Sequence, residues 1–238
     1  MRKTFIFLLI FLTVFLANSV FSQNFLVEYK FDFKADEPIY NYQLLFNDSL
    51  SIWRNLGDVE KESKLWDVDA KKDYFIYKKN ASQKLYDHCS LSGKIFHYED
   101  KLNLFRWKLI SKTKTIMNFK CNAATTEFRG RTYTAYYTTE IPISNGPWKF
   151  GGLSGLILEV SSDDGKYTYS AVKIIKNVKF KINNNLELGN TYLQWEDYKK
   201  EFISFHKRRA KQQKAKYGGG MSFKFRVETM EIKVEIEE

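Results

Sequence analysis

Apolar and polar residues alternate with a period of two along most of this chain, and that pattern narrows its fold more than any other feature. From Phe25 to Lys34 the apolar set is Phe25, Val27, Tyr29, Phe31 and Phe33, with a mostly polar set from Glu28 to Lys34 between them. Successive side chains of an extended strand point to opposite faces, so the pattern puts one face on a core and the other in water. Tyr40, Tyr42, Leu44 and Phe46 repeat it, Asn47-Asp48 supplies turn chemistry, and Leu50 and Ile52 resume it towards Trp53, which predicts a hairpin. Residues 54–72 are mostly polar and charged, with Leu56, Leu65 and Trp66 as their large apolar anchors, and read as a surface excursion or loop. Further strands are predicted at 74–78, 84–88, 94–98, 104–110 and 115–123, a spacing that suits an antiparallel meander. Arg129-Gly130-Arg131 predicts a turn between 115–128 and 132–141, and Ser161–Gly165 another between 156–160 and 166–175.

One segment departs from the period of two. Residues 192–216 contain neither Pro nor Gly, and Tyr198, Phe202 and Phe205 fall at i, i+4 and i+7, which predicts a helix. Asn190 or Thr191 is placed to cap it, Glu196 and Asp197 lie in its early turns, and the cations from Lys207 to Lys216 suit the negative end of its dipole. Beyond Gly218–Gly220 the alternation returns and changes phase between Val227 and Met230, which requires a bulge or a tight turn there. The expected fold class is mainly antiparallel β (α+β), a curved sheet or open half-barrel with one long helix in the C-terminal region.

Arg2 and Lys3 precede the apolar run Thr4–Leu16, and Val20-Phe21-Ser22 forms a small-residue exit, so residues 1–22 read as a signal peptide and 23–238 as a single domain. An uncleaved amino-terminal anchor is the alternative, because the run is near the shortest that spans a bilayer. The chain carries 38 Lys and Arg against 28 Asp and Glu, a formal charge of +10. In an exported protein that excess does not point to nucleic acid, and its natural counterparts are anionic lipid headgroups or acidic polymers. Lys207, Arg208, Arg209, Lys211 and Lys214 concentrate it on one helix end, which reads either as a solvated face or as a contact for an anionic surface.

The most distinctive motifs lie between residues 107 and 174. They are Trp107-Lys-Leu-Ile, Phe119-Lys-Cys-Asn-Ala-Ala-Thr-Thr126, Arg129-Gly-Arg131, Tyr133-Thr-Ala-Tyr-Tyr137, Gly146-Pro-Trp-Lys-Phe150 and Gly152-Leu-Ser-Gly-Leu-Ile157. In this order they resemble the GLPGLI family of secreted Gram-negative cell-envelope proteins, whose name-giving hexapeptide aligns with Gly152–Ile157. The resemblance implies export and a mainly β fold, and it brings no established reaction and no agreed catalytic residues. Ser154 stands where the family has Pro. Leu153-Ser154-Gly155-Leu156 has the form of a type II turn with Gly155 at positive φ, so Ser154→Pro is expected to add about 0.4–1 kcal/mol through the unfolded state. The segment reads either as a structural corner that delivers Leu156–Val160 into a sheet or as a ligand-binding corner made of Trp148, Phe150, Gly152, Leu153, Ser154, Gly155 and Leu156.

No catalytic constellation stands out. Ser154 lies between glycines, but a nucleophile elbow needs Gly two residues later and Leu156 is there. His88, His97 and His206 lack a metal-ligand spacing, and only a convergence of His88, Cys89, His97 and Cys121 in space would make a zinc site. No metal or cofactor is expected. In an oxidising compartment Cys89 and Cys121 would form a disulfide worth about 3–4 kcal/mol. In the other reading Cys121 is a buried thiol, since it alternates with Met117, Phe119 and Ala123. Trp53, Trp66, Trp107, Trp148 and Trp195 supply either a core or an apolar cleft. These features describe an exported, non-enzymatic binding or accessory protein, periplasmic or associated with the outer membrane, that holds an apolar ligand or envelope lipid in a concave sheet. An assembly partner of an outer-membrane transport complex and a hydrolase are the alternatives.

Overall fold

A computed structural model describes residues 23–33, 39–56, 74–91, 93–179, 186, 191–217 and 224–237. Residues 1–22, read above as a signal peptide, and the glycines at 218–220 fall outside the described residues, as do Leu65, Trp66 and most of the excursion around them.

The alternating segments form β1 (Phe25–Phe33), β2 (Tyr40–Phe46), β3 (Leu50–Asn55), β4 (Phe75–Lys79), β5 (Lys84–Leu91) and β6 (Lys94–Lys101). They continue as β7 (Lys108–Ile116), β8 (Phe119–Phe128), β9 (Arg131–Thr138), β10 (Leu156–Ser162), β11 (Tyr167–Lys176) and the two-residue β12 (Leu193–Gln194). A helix, α1 (Trp195–Tyr217), precedes the hairpin β13 (Lys224–Glu228) and β14 (Lys233–Glu237). The first twelve strands make one sheet in the order β12-β6-β5-β4-β3-β2-β1-β11-β10-β9-β8-β7. Its ladders are antiparallel except for β12, which runs parallel to β6.

That order forces the sheet to bend. β6 and β7 are consecutive in the chain yet lie ten strand spacings apart. A flat sheet would separate them by about 48 Å at roughly 4.8 Å per spacing. The chain from Lys101 to Lys108 reaches at most about 25 Å. The two ends of the sheet therefore curl towards each other, and residues 102–107 cross between them. Phe105 anchors the crossing on Phe128 and Phe150, with ring centroids 4.5 and 4.8 Å away. Trp107 donates from Nε1 to the Gly151 carbonyl at 2.8 Å. The main core runs along the inner face of this curve, from Phe25, Val27 and Tyr29 on β1 to Ala124 and Phe128 on β8. The sheet is curved and open, and α1 packs Trp195, Tyr198 and Phe202 against Tyr98 of β6 and Leu91 of β5.

Four expectations change. The strands predicted at 104–110 and 115–128 are displaced by a two-residue turn at Met117-Asn118, where φ is +49° and +68°. This is the left-handed pair that a tight hairpin needs, and Asn tolerates it better than most residues. α1 starts at Trp195 because Leu193 and Gln194 are held on β6 opposite Tyr98 and Glu99, so Thr191 lies too far upstream to cap it. Cys89 and Cys121 are both free. They sit on β5 and β8 with seven strands between them in the sheet, and Cys121 is completely buried. The fourth change concerns the corner. Positive φ falls on Gly152 (+87°) and not on Gly155, so a type II turn centred on Ser154-Gly155 does not form and the gain expected of Pro at 154 loses its basis.

Gly155 is required for a different reason. A Cβ placed there would stand 2.0 Å from the carbonyl oxygen of Thr138, on the neighbouring strand β9. No side chain can shift to relieve a clash with backbone. Gly155→Ala is therefore expected to destabilise the protein by about 3 kcal/mol or more, read as a lower urea midpoint, whereas a change under about 0.5 kcal/mol would show that the two segments are not this close.

Candidate functional site

The bend encloses a cavity of about 550 Å³ on the concave face. Its walls come from β1 to β6, from β11, from the first turns of α1, from Trp148, and from residues 229–232 at the tip of the β13–β14 hairpin. Thirteen of its twenty-four described lining residues are Phe, Tyr or Trp, whereas Ile76, Met230 and Ile232 are the aliphatic ones among them. The alternation puts those rings there, because every second residue of a strand faces the inside of the curve. Tyr42 stacks on Trp53 at 4.9 Å with an interplanar angle of 4°, and Phe31 stacks on Tyr169 at 4.4 Å. Tyr74 is 42% exposed at the mouth.

Beside this aromatic wall lies a buried cluster of charges. Lys149 donates to Glu231 Oε2 and to the Tyr98 hydroxyl, both at 2.6 Å, and lies 3.4 Å from Asp87. Tyr98 in turn donates to Asp87 at 2.6 Å. Arg129, in the two-residue turn between β8 and β9, pairs with Asp100 of β6 at 2.5 Å and also with Glu231. Its guanidinium sits 3.4 Å above the Trp195 ring. Burial pushes the Lys149 ammonium down to about 8, against the opposing pull of the Asp87 charge. Burial also raises the Tyr98 hydroxyl, with Asp87 adding to the effect, and it raises the Cys89 thiol to about 12, again helped by Asp87. At neutral pH, Cys89 is therefore a protonated thiol on the cavity wall.

A second buried lysine fixes the corner. Lys78 Nζ, from β4, donates to Asn145 Oδ1, the Gly146 carbonyl and the Phe150 carbonyl at 3.1, 3.1 and 2.9 Å. All three of those partners are neutral, and burial lowers its ammonium to about 7.

The expected corner residues separate. Of Trp148, Phe150, Gly152, Leu153, Ser154, Gly155 and Leu156, only Trp148 lines the cavity. Phe150, Leu153 and Leu156 are buried in the main core, and Ser154 and Gly152 are exposed on the outside. Of the basic run, Lys207, Arg208, Arg209 and Lys211 are exposed, Lys214 is half-buried, and none lines the cavity. Trp53, Trp148 and Trp195 do line it. Among the described residues there is no group of three or more His, Cys, Asp or Glu that could hold a metal ion. The ion cluster is what sequence reasoning missed. Its members lie at positions 87, 100, 129, 149 and 231, and no spacing connects them. The one local hint is Lys149, a cation between Trp148 and Phe150 in an apolar stretch.

Both lysines titrate below the ordinary value of 10.5. The folded chain releases these protons near pH 7 to 8 while the unfolded chain keeps them to about 10.5. The unfolded state thus binds more protons across that window, and the contribution of these groups to stability rises with pH through it. Removing one titration by Lys78→Met should make the stability difference, wild type minus variant, grow between pH 7 and 9.5 by up to about 1.4 kcal/mol per pH unit. Parallel urea melts at several pH values check this, and a constant difference would mean that Lys78 keeps its ordinary acidity.

Comparison with curated proteins gave no match. Among solved structures the chain is similar to PNGF-II in two crystal forms, each with a TM-score of 0.56 and 16% identity, covering 87% of this chain and 35% of that one. The likeness is one of fold, and the chain spans about a third of the length of PNGF-II. A LolA superfamily protein from Nitrosomonas europaea aligns at 11% identity over 68% of this chain and 86% of its own, but its TM-score of 0.27 is below that of a shared fold. The model of the family described as "N-glycanase peptide, N-terminal domain" matches residues 62–199. That span takes in β4 to β12 and the start of α1, more than half of the sequence, and the chain therefore belongs to this N-glycanase N-terminal domain family.

Proposed function

We propose that this protein is an exported, non-enzymatic binding domain of the cell envelope, and that its aromatic cavity holds a saccharide unit of a glycan. The chemistry of the cavity wall carries the reading. A sugar ring has apolar C–H faces that pack on the negative face of an aromatic ring, and a rim of hydroxyls that needs acceptors. Rings such as Tyr74, Trp148 and Tyr198 supply the first, and the Asp87 carboxylate supplies the second. A lipid tail fits the concave shape expected of such a sheet, but it would set hydrocarbon against the polar Asp87 side of the cavity, which is costly. The name of the family supports a glycan as the ligand.

The engagement of the polar groups supports binding without catalysis. Among the described residues of the cavity, Asp87 and Glu231 already accept from Lys149 and Tyr98, His88 shares a hydrogen bond with the Tyr192 hydroxyl at 2.8 Å, and burial holds the Cys89 thiol protonated. Export rests on the basic and apolar pattern of residues 1–22 and on the resemblance to GLPGLI proteins, whose corner lies inside the matched span.

Calorimetry with N-glycans released from a glycoprotein is expected to show binding. Tyr74→Ala and Trp148→Ala should each weaken it by about five- to tenfold, the loss of one ring contact of about 1 kcal/mol. Tyr74→Ala should leave the melting temperature nearly unchanged, since the ring is at the mouth. Binding of phospholipid acyl chains in place of glycans would overturn the proposal.

A further inference from the structure

The tip of the C-terminal hairpin is a wall of more than one cavity. Thr229, Met230, Glu231 and Ile232 line the 550 Å³ cavity. Thr229, Met230 and Ile232 also line a second cavity of about 260 Å³ beside Arg129, Arg131 and Asp164. Glu231 and Ile232 line a third of about 450 Å³ beside Trp195, Glu196 and Lys199.

Among the described residues, the tip is tied to the rest of the molecule through side chains. Among the described residues β13 and β14 pair only with each other, in a two-stranded sheet separate from the main one. The tip is internally rigid, because Thr229 Oγ1 accepts from the backbone N–H groups of Glu231 and Ile232 at 3.2 and 2.9 Å. It is held from outside by the Lys149 and Arg129 contacts to Glu231 and by the Tyr133 hydroxyl donating to the Met230 carbonyl at 3.0 Å. Ile232 adds an apolar contact, packing with Tyr98, Trp195 and Tyr198. A preformed unit held by such contacts can lift as a body without breaking any ladder of the main sheet.

We propose that residues 229–232 are a displaceable partition, and that the three cavities are subsites of one cleft that takes a chain of several sugar units. Glu231 is its latch. The ligand competes with the tip, so each added unit that reaches past the partition gains contacts only after the Glu231 pairs have opened. The proposal rests on the saccharide reading above and extends it from one ring to an oligomer.

The test uses chito-oligosaccharides of one to six units, binding measured by calorimetry and tip protection by hydrogen exchange, in wild type and in Glu231→Ala. The hexamer is expected to bind Glu231→Ala at least about fivefold more tightly than wild type, while the monomer changes less than about twofold. In wild type the hexamer should lower amide protection at 229–232, and the monomer should leave it unchanged. An equal effect of the variant on both lengths, or unchanged tip protection with the hexamer, would overturn the partition. Glu231→Gln, which keeps a hydrogen-bonding side chain but loses the charge, should fall between the two and guards against a variant that folds poorly. If no oligosaccharide binds either protein, the saccharide reading fails by itself. Entry of the neutral dye N-phenyl-1-naphthylamine then decides the partition by stopped flow, with faster entry in Glu231→Ala supporting it and equal rates refuting it.

Discussion

A sheet whose two ends must face each other without hydrogen-bonding needs some other force across the gap, and here a buried ion cluster provides it. Asp87 and Asp100 come from one end of the sheet, Arg129 from the other, Lys149 from the corner and Glu231 from the hairpin tip. The cations also sit on rings, Arg129 on Trp195 and Lys149 between Tyr98, Trp148 and Trp195. Such a cluster is poor evidence of net stability, because desolvating five charges offsets much of their attraction. Its effect is geometric. A buried charge that loses its partner costs several kcal/mol, so the elements that carry these groups are held to one arrangement, and that arrangement shapes the cavity.

The corner does the complementary work on the apolar side. Gly155 lets the start of β10 lie against the backbone of Thr138, and Tyr29 reaches across from β1 to donate to the Ile157 carbonyl at 2.7 Å. The ladder from β10 to β9 shifts register between Ile157 and Glu159, which explains why Leu156, Ile157 and Leu158 are all fully buried despite the alternation. Lys78 and Trp107 then tie the loop of residues 145–151 to β4 and to the crossing strand-to-strand link. The family-like motif is thus a joint between the core and the crossing segment, and Trp148 is the residue through which it reaches the cavity.

Legibility in the sequence followed the range of the interaction. The hairpins β2–β3 and β8–β9 were readable from Asn47-Asp48 and Arg129-Gly130, since those residues make the turn by their own chemistry, as when Asn47 Oδ1 accepts from the N–H groups of Ser49 and Leu50 at 2.9 Å. The Met117-Asn118 turn was not, because it lacks glycine and the alternation runs through it without a break. α1 was readable from its period, but its first residue was not, because pairing with β6 decides where it begins. Among site residues, the tryptophans could be named as suppliers of a cleft, but not sorted into cavity and core.

What the sequence determined by itself is the alternation, and with it a β-rich domain that has one buried face, one helix and a cationic helix end. These follow from the geometry of the residue and its nearest neighbours, which is the same wherever the segment ends up. Only the tertiary structure decided that the sheet bends until β6 approaches β7, that Arg129 meets Asp100 and Glu231, and that thirteen rings converge on one cavity. Those contacts join residues that lie far apart in the chain, as between Arg129 and Glu231, 102 positions apart, and they depend on strand order and curvature, for which no short stretch of chain carries a signal.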